Sequence, residues 1–330
     1  MNRLWDNIIR PIIEKNMKKD IAKKIDDHWS DVNLIKQPKR IRWWQSSTIR
    51  KHVNQIVCGE PVNGISEGLN IRLKDLGSTF EYGVSVGFGN GQKEFKLLKE
   101  GLVKKFTLFE LSDKRIENAR KTAEILGLLD RVEFIKGDCF QYEFKEKVDF
   151  VHWNNSLHHM FDVNKAIEWS HQILEVGGVF YMDDFVGPSR FQWSDDALEL
   201  GTRVRNILPD RYLKNPHDPN KLLNRTIERL DPEKLKRDDP SEAADSSNIL
   251  KSVIRFFPNA EITLTGGIIY HSTLNDVLHN IDETDLKDKA ILDLLLIIDD
   301  LATKNGIESQ YATALAVKTS SSATANKEVD

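Results

Sequence analysis

The sequence predicts an α/β protein whose core is a doubly wound, mostly parallel β-sheet. From about residue 81, short runs rich in β-branched and aromatic residues alternate with longer amphipathic runs. Strands separated by helices of this length are typical of repeated βαβ units. A glycine-rich turn, Gly87 to Gly91, lies between the first strand-like run and the first helical run. Sheets of this class bind ligands at such turns, so both observations favour the same fold.

The alternation places each element in order along the chain. Strands are predicted at YGVSVGF, KKFTLFEL, RVEFIKGD, VDFVHWNN and VFYMDDF, and helices at GQKEFKLLKEGL, SDKRIENARKTAEILGL and NKAIEWSHQILEVGG. After Phe185 the alternation stops, and a charged segment with many prolines follows. Two later strand-like runs, AEITLTGGIIY and YATALAVKT, are expected to close the sheet at one edge.

This pattern divides the chain into five parts. They are a helical N-terminal cap, the sheet core with its glycine turn, an insertion or lid, the C-terminal edge of the sheet and a disordered polar tail. Their predicted bounds are 1–78, 79–186, 187–255, 256–319 and 320–330.

Composition limits the function classes. The 330 residues carry 47 Lys and Arg against 51 Asp and Glu, which gives a net charge of -4 and disfavours broad nucleic-acid binding. No run approaches the roughly 20 apolar residues that a membrane helix needs, and the N-terminus shows no secretion signal. Cys58 and Cys139 are too few for a disulfide framework. We therefore expect a cytoplasmic protein that acts on a small molecule, with a homodimer as an open alternative.

One basic stretch departs from the overall acidity. Residues 37–52 combine Lys and Arg with Trp43 and Trp44. Such a segment binds RNA by phosphate contact and stacking, or holds a phosphorylated small substrate. The third interpretation is a helix whose tryptophans pack on the core while its cations face water.

The spacing of the glycine turn separates nucleotide folds. Gly87, Gly89 and Gly91 give GxGxG, whereas a dinucleotide-binding turn needs its third glycine one position later, at Gln92. No Lys-Ser or Lys-Thr pair follows in the register of a phosphate-binding P-loop. The turn therefore predicts a bound cofactor other than a dinucleotide or ATP, against the alternative of a purely structural turn.

From these glycines onward the chain resembles the class I S-adenosylmethionine-dependent methyltransferases. Glu110 ends the second strand and Asp138 follows the third, as acidic residues do in that family. The resemblance spans about residues 81–186 and implies a mostly parallel seven-stranded sheet. It also implies S-adenosyl-L-methionine as the cofactor and S-adenosyl-L-homocysteine as the product.

The resemblance also implies roles for individual residues. Glu110 would accept hydrogen bonds from the ribose hydroxyls and Asp138 from the adenine amino group, although both carboxylates also suit simple helix caps. Leu111 and Phe140 would enclose the adenine, and the backbone N–H of Cys139 would face a ring nitrogen. The remaining cofactor candidates are Ser85, Phe88, Asn154 and Asn155. Ser85 departs from the family pattern, which has an acidic residue there, so its hydroxyl, a carbonyl or Glu81 would have to replace that carboxylate.

The chemistry is expected after the fourth and fifth strands, because ligands bind at the carboxyl ends of parallel strands. His159 or His158 is the candidate base, and Asp183 or Asp184 is expected to orient or replace it. The alternatives are a His pair that caps a turn and an Asp pair bound to Arg190. A metal site drawn from the same four residues is disfavoured, because nothing gives metal-ligand spacing on one helix face.

Arg190, Gln192 and Trp193 are expected to line the substrate site, with lid packing as the alternative. Because the fourth strand ends in Asn-Asn-Ser-Leu, DNA adenine methylation is disfavoured. The sequence predicts methyl transfer to O, N or C of a polar metabolite such as a sugar or amino-acid derivative. The alternatives are a catalytically silent cofactor-binding partner and an RNA methyltransferase that uses the basic segment.

Overall fold

A computed structural model describes residues 41–320 and, before them, Asp20, Lys23 and Lys24. Most of the predicted N-terminal cap, residues 37–40 of the basic stretch and residues 321–330 of the predicted disordered tail lie outside the described residues.

A seven-stranded sheet forms the centre of the protein. Its strands stand in the order β3-β2-β1-β4-β5-β9-β8, and the first five are parallel while β9 runs antiparallel to both of its neighbours. This confirms the predicted doubly wound, mostly parallel sheet and its C-terminal edge. The strands of this sheet and of a separate hairpin, β6 and β7, are β1 (Phe80–Val86), β2 (Val103–Glu110), β3 (Val132–Lys136), β4 (Val148–Asn154), β5 (Leu174–Phe185), β6 (Lys214–Asn215), β7 (Asp218–Leu222), β8 (Glu261–Gly266) and β9 (Tyr311–Val317).

Helices cover both faces of the sheet and continue beyond its edge. Side-chain oxygens cap several of their first turns, as Ser112 does by accepting a hydrogen bond from the backbone N–H of Arg115. The helices are α1 (Ser47–Cys58), α2 (Glu67–Asp75), α3 (Gln92–Lys99), α4 (Asp113–Ile125), α5 (Val163–Ile173), α6 (Asp195–Ile207), α7 (Pro232–Asp238), α8 (Ile249–Phe256) and α9 (Leu286–Lys304). In the part of the chain that the structure describes, none of them is long and apolar enough to cross a membrane.

Strand β4 shows why both faces must be covered. Val151 and Trp153 are fully buried on one face, and Phe150 is fully buried on the other. Alternate residues of a strand point to opposite faces, so a strand that is apolar at successive positions needs helices on both sides.

A third apolar cluster, besides those on the two faces of the sheet, lies at the carboxyl end of β5. Helix α6 of the insertion packs there with α9, with a π-helical turn, Ile268–Thr273, and with Ile49 of α1. The last helix of the predicted lid, α8, behaves differently: its Ile249 and Val253 are buried in the core of the sheet. The insertion therefore ends before α8.

The aromatic packing of Phe150 gives a stability prediction. Its ring stacks on Phe80 at a centroid distance of 4.9 Å and lies 5.8 Å from the Tyr181 ring. We expect Phe150→Ala to lower the free energy of unfolding by about 3–5 kcal/mol, because it removes buried area and leaves a cavity. Urea unfolding measures the loss. Ile125→Ala, at a position that is 85% exposed, is the control and should change stability by less than about 0.5 kcal/mol.

Candidate active site

The glycine turn follows β1 in a conformation that favours glycine. The φ angles of Gly87, Gly89 and Gly91 are 68°, 62° and 73°. A Cβ on Gly87 would lie 2.7 Å from the Cβ of Ser156, which is too close for any side chain. At Gly89 the nearest atom to such a Cβ is Nη1 of Arg115 at 3.6 Å, an ordinary contact distance, so this part of the turn is less crowded than Gly87.

Glu110 lies beside this turn at the end of β2. Its carboxylate is mostly buried and accepts hydrogen bonds from the backbone N–H of Gly89 at 3.0 Å and of Leu111 at 2.8 Å. Arg115 of α4 lies 3.8 Å from the same carboxylate. These contacts fix the position of the Glu110 carboxylate next to Gly89.

One cavity of about 2160 Å³ joins the glycine turn to the ends of β3, β4 and β5. Asp138 borders it and also caps the turn that follows β3, because its side chain accepts a hydrogen bond from the backbone N–H of Phe140 at 3.0 Å. Burial raises the pKa of the Cys139 thiol, so the side chain stays neutral. The predicted cofactor residues that border this cavity are Gly87, Phe88, Gly89, Glu110, Leu111, Asp138, Cys139, Asn154 and Asn155.

Sequence reasoning missed Lys93, the second residue of α3. Its ammonium donates to the backbone oxygen and the side-chain oxygen of Asn154 at 2.7 and 2.6 Å. Burial lowers the pKa of Lys93, while the charges of Glu94 and Asp183 oppose that shift. Its place directly after the glycine turn, in the first turn of a helix, was the available signal.

Asp184 organises the turn that carries the histidine pair. It is fully buried, and its carboxylate accepts hydrogen bonds from the backbone N–H groups of Ser156 and Leu157 at 2.8 Å. The same carboxylate lies 2.5 Å from Nδ1 of His158. Burial lowers the pKa of His158, but the negative charge of Asp184 outweighs it and the net shift is upward.

His159 lies beside His158 and meets the insertion. The two imidazole centroids are 4.1 Å apart, and Nδ1 of His159 lies 3.0 Å from Oγ of Ser241. Glu242 brings a carboxylate oxygen to 3.8 Å from Nε2 of His158. Sequence reasoning missed Glu242, because nothing in its local sequence shows that this loop folds back onto β4.

Asp183 borders the cavity while Asp184 faces the turn. Burial raises the pKa of Asp183, against the opposing hydrogen bond from Ser66 and the charge of Lys93. The two neighbouring carboxylates thus have separate positions, since successive residues of β5 point to opposite faces of the sheet.

Two of the predicted substrate residues hold the insertion together instead. The Arg190 guanidinium donates to the backbone oxygens of Pro240 and Glu242 at 2.7 and 2.8 Å. Gln192 donates to the backbone oxygens of Arg190 and Leu230. The alternative in which the Asp pair binds Arg190 is wrong for Asp184, whose partners are His158 and the backbone of its turn. Lid packing is the role that the structure gives Arg190 and Gln192.

Trp193 does border the cavity, as part of an aromatic wall. Its ring lies 5.9 Å from that of Phe191, which lies 5.0 Å from that of Phe185, and Phe185 lies 5.6 Å from Tyr311. Trp43 of the basic stretch packs 5.0 Å from Tyr311, as the packing interpretation of that stretch predicts, whereas Trp44 is 41% exposed. The side of the cavity opposite the glycine turn is therefore largely aromatic.

Comparisons with known proteins identify the domain that contains this site. Residues 84–232 match the family described as "Methyltransferase domain". That match contains the glycine turn, Glu110, the histidine pair and Asp184. These residues are therefore similar to a methyltransferase domain, and the seven-stranded sheet that contains them has the class I methyltransferase fold. A search of curated protein sequences gives no significant match.

Several solved structures are also similar to this chain. The N-methyltransferase NodS from Bradyrhizobium japonicum, solved with S-adenosyl-L-homocysteine, is 14% identical over 49% of this chain and 72% of its own, with a TM-score of 0.35. A putative sarcosine dimethylglycine methyltransferase from Galdieria sulphuraria is 13% identical over 77% and 85%, with a TM-score of 0.44. A geranyl diphosphate methyltransferase is 16% identical over 77% and 78%, with a TM-score of 0.45.

Ser85 stands where the resemblance predicts an acidic residue, and the structure shows its surroundings. Ser85 is buried beneath the glycine turn, where its hydroxyl donates to Glu94 of α3 at 2.8 Å and lies 3.1 Å from Nδ1 of His152. Glu81 lies at the opposite end of β1 and pairs with Lys104. Neither Ser85 nor Glu81 borders the cavity, and Glu94 places a buried carboxylate beneath the glycine turn.

The buried Glu94 carboxylate predicts how the stability of the protein changes at acidic pH. Burial raises the pKa of Glu94, but His152 and Lys93 outweigh burial and hold it below its usual value. Glu94 therefore adds stability above its unfolded pKa, near 4.3, and this contribution disappears as the pH falls through the lower folded pKa.

We expect Glu94→Gln to lower the free energy of unfolding by about 3 kcal/mol near neutral pH. The deficit should shrink as both proteins are acidified, because the wild-type carboxylate then becomes neutral. Urea unfolding across that range measures the difference. The exposed control Glu124→Gln should follow the wild type; a deficit at Glu94 that is independent of pH would refute the assigned charge.

Proposed function

We propose that this protein transfers the methyl group of S-adenosylmethionine to O, N or C of a small-molecule acceptor. The acceptor would bind beneath the insertion. One observation supports this above all: the glycine turn, Glu110 and the histidine pair border one continuous cavity. The His158–Asp184 pair at the ends of β4 and β5 favours an active enzyme over a silent cofactor-binding partner.

The chain's groups fit the cofactor. Gly89 borders the cavity without a side chain, so a ligand can approach its backbone, and the adjacent Glu110 carboxylate suits the two ribose hydroxyls. Leu111 and Phe140 border the cavity on the side where the adenine would lie. When bound, S-adenosylmethionine supplies a sulfonium methyl group that an electron pair on the acceptor attacks in line.

The acceptor must lose a proton and be held near that methyl group. We assign its activation to the imidazoles of His158 and His159, because both border the cavity and both are fixed at Nδ1, by Asp184 and Ser241 respectively. Fixed groups reduce the entropy lost on reaching the reactive geometry. Asp183 would contact the acceptor from β5.

The lining also refines the expected acceptor. The aromatic wall suits a planar or apolar body, while the polar residues cluster near His158. The acceptor is thus proposed to be amphipathic, with its reactive atom at the polar end, rather than a fully polar sugar. Both cysteines are free, which supports a cytoplasmic location.

The cofactor assignment gives a binding prediction. Glu110→Ala removes a carboxylate that accepts charged hydrogen bonds, so we expect S-adenosylmethionine to bind about tenfold or more weakly by calorimetry. Glu117→Ala, an exposed carboxylate on α4, is the matched control and should bind like the wild type. Equal affinity in all three proteins would remove Glu110 from the cofactor site.

The acceptor side gives a prediction for turnover. We expect His159→Ala to bind the cofactor normally but to lose methyl transfer by a factor of about 100 or more, because acceptor activation is lost. Metabolite extracts incubated with enzyme and isotopically labelled cofactor supply the acceptor, and a mass gain of one methyl group is the readout. His217→Ala, at an exposed histidine, should retain activity. Full activity in His159→Ala would exclude the role.

A further inference from the structure

We infer that His158, His159 and Glu242 form a binding site for one divalent transition-metal ion. This inference rests on the proposed function and specifies how the histidine pair activates the acceptor. One ligand atom from each of the three residues lies within 4.8 Å of the other two. All three residues border the cavity at the end of β4.

Both histidines have the support that metal-binding imidazoles need. Metal-ligating histidines commonly bond their second ring nitrogen to a carboxylate or another polar group. Here Nδ1 of His158 contacts Asp184, and Nδ1 of His159 contacts the Ser241 hydroxyl. Nε2 is therefore the ligating atom in each ring. Asp184, which the sequence suggested as a possible ligand, instead orients one.

The loop that carries Glu242 is fastened to the histidine turn. The backbone N–H of Ala244 donates to the backbone oxygen of His158 at 3.1 Å. The Ser241 hydroxyl donates to Asp239 at 2.6 Å, and Arg190 holds the backbone oxygen of Glu242. These contacts place the carboxylate before any ion binds, which lowers the cost of assembling the site.

The distances require only small side-chain rotations. Ligand atoms bound about 2.1 Å from one ion lie roughly 3 to 3.5 Å apart. The oxygen of Glu242 and Nε2 of His158 are already 3.8 Å apart. Carboxylate oxygens lie at both ring nitrogens of His158, Asp184 at 2.5 Å from Nδ1 and Glu242 at 3.8 Å from Nε2, so negative charge surrounds the proposed site.

The ligand set indicates the class of ion and its role. Two imidazoles and one carboxylate with open positions are typical of catalytic zinc sites, and of related divalent ions. The open positions would take the acceptor's oxygen or nitrogen and lower its pKa. The acceptor's proton then leaves to water, its electron pair forms the bond to the methyl carbon, and the electrons of the broken C–S bond stay on sulfur.

This inference reverses the prediction of no metal that the sequence supports. Adjacent histidines and adjacent aspartates do not give metal-ligand spacing. The third ligand, Glu242, comes from a separate loop of the insertion, and only the fold brings it to the histidine pair.

Cobalt(II) titration of the chelator-treated full chain tests the site. Bound cobalt absorbs visible light, and we expect one ion per chain near neutral pH. His159→Gln and Glu242→Gln should each weaken cobalt binding about tenfold or more, because each removes one of three ligands. His217→Gln and Glu199→Gln, which change exposed residues, are the matched controls and should bind like the wild type.

Two outcomes overturn the inference. One is cobalt binding that is absent, or equal in the wild type and both ligand variants; the other is full methyl transfer by metal-free enzyme in excess chelator, in which case the imidazoles act directly as bases. Calorimetry with S-adenosylmethionine on the same metal-free protein distinguishes the metal site from the proposed function. If the cofactor does not bind, the proposed function itself is contradicted.

Discussion

The acceptor side of the site depends on the hydrogen bonds of the buried Asp184 carboxylate. It accepts backbone hydrogen bonds from Ser156 and Leu157 and contacts the ring of His158. A buried carboxylate without such partners would be costly, so the turn after β4 and the end of β5 stabilise each other. The histidine pair is thereby fixed at the cavity, and the loop carrying Glu242 then docks on the same turn.

The cofactor side depends on backbone conformation rather than on one side chain. Gly87 approaches Ser156 too closely for a Cβ, so the first glycine joins the turn after β1 to the turn after β4. The second, Gly89, donates to Glu110 and thereby links the turn to β2. Beneath both, Ser85, Glu94 and His152 form a buried polar group. Cofactor and acceptor residues thus share one scaffold.

The sheet could be predicted from the sequence, and residues that border the cavity near the glycine turn could be named, because their signals are local. Alternating patterns, the GxGxG spacing and an acidic residue at the end of β2 all lie within single elements. The other side of the cavity was harder: His158 and Asp184 were named as candidates and lie together, but Glu242 was not named, and Arg190 was left between substrate binding and lid packing. Those residues lie in an insertion whose position depends on tertiary packing, and no periodicity in the sequence encodes which loop meets the histidine turn.

A crystal structure of the chain with S-adenosyl-L-homocysteine tests the central claim most directly, because that claim is that the cofactor and the acceptor share one cavity. We predict that the ribose hydroxyls of the ligand donate hydrogen bonds to Glu110 and that the ligand contacts the backbone of Gly89. Its sulfur should point toward His158 and Asp183. A ligand bound elsewhere, or with its sulfur turned away from the histidine pair, would contradict it.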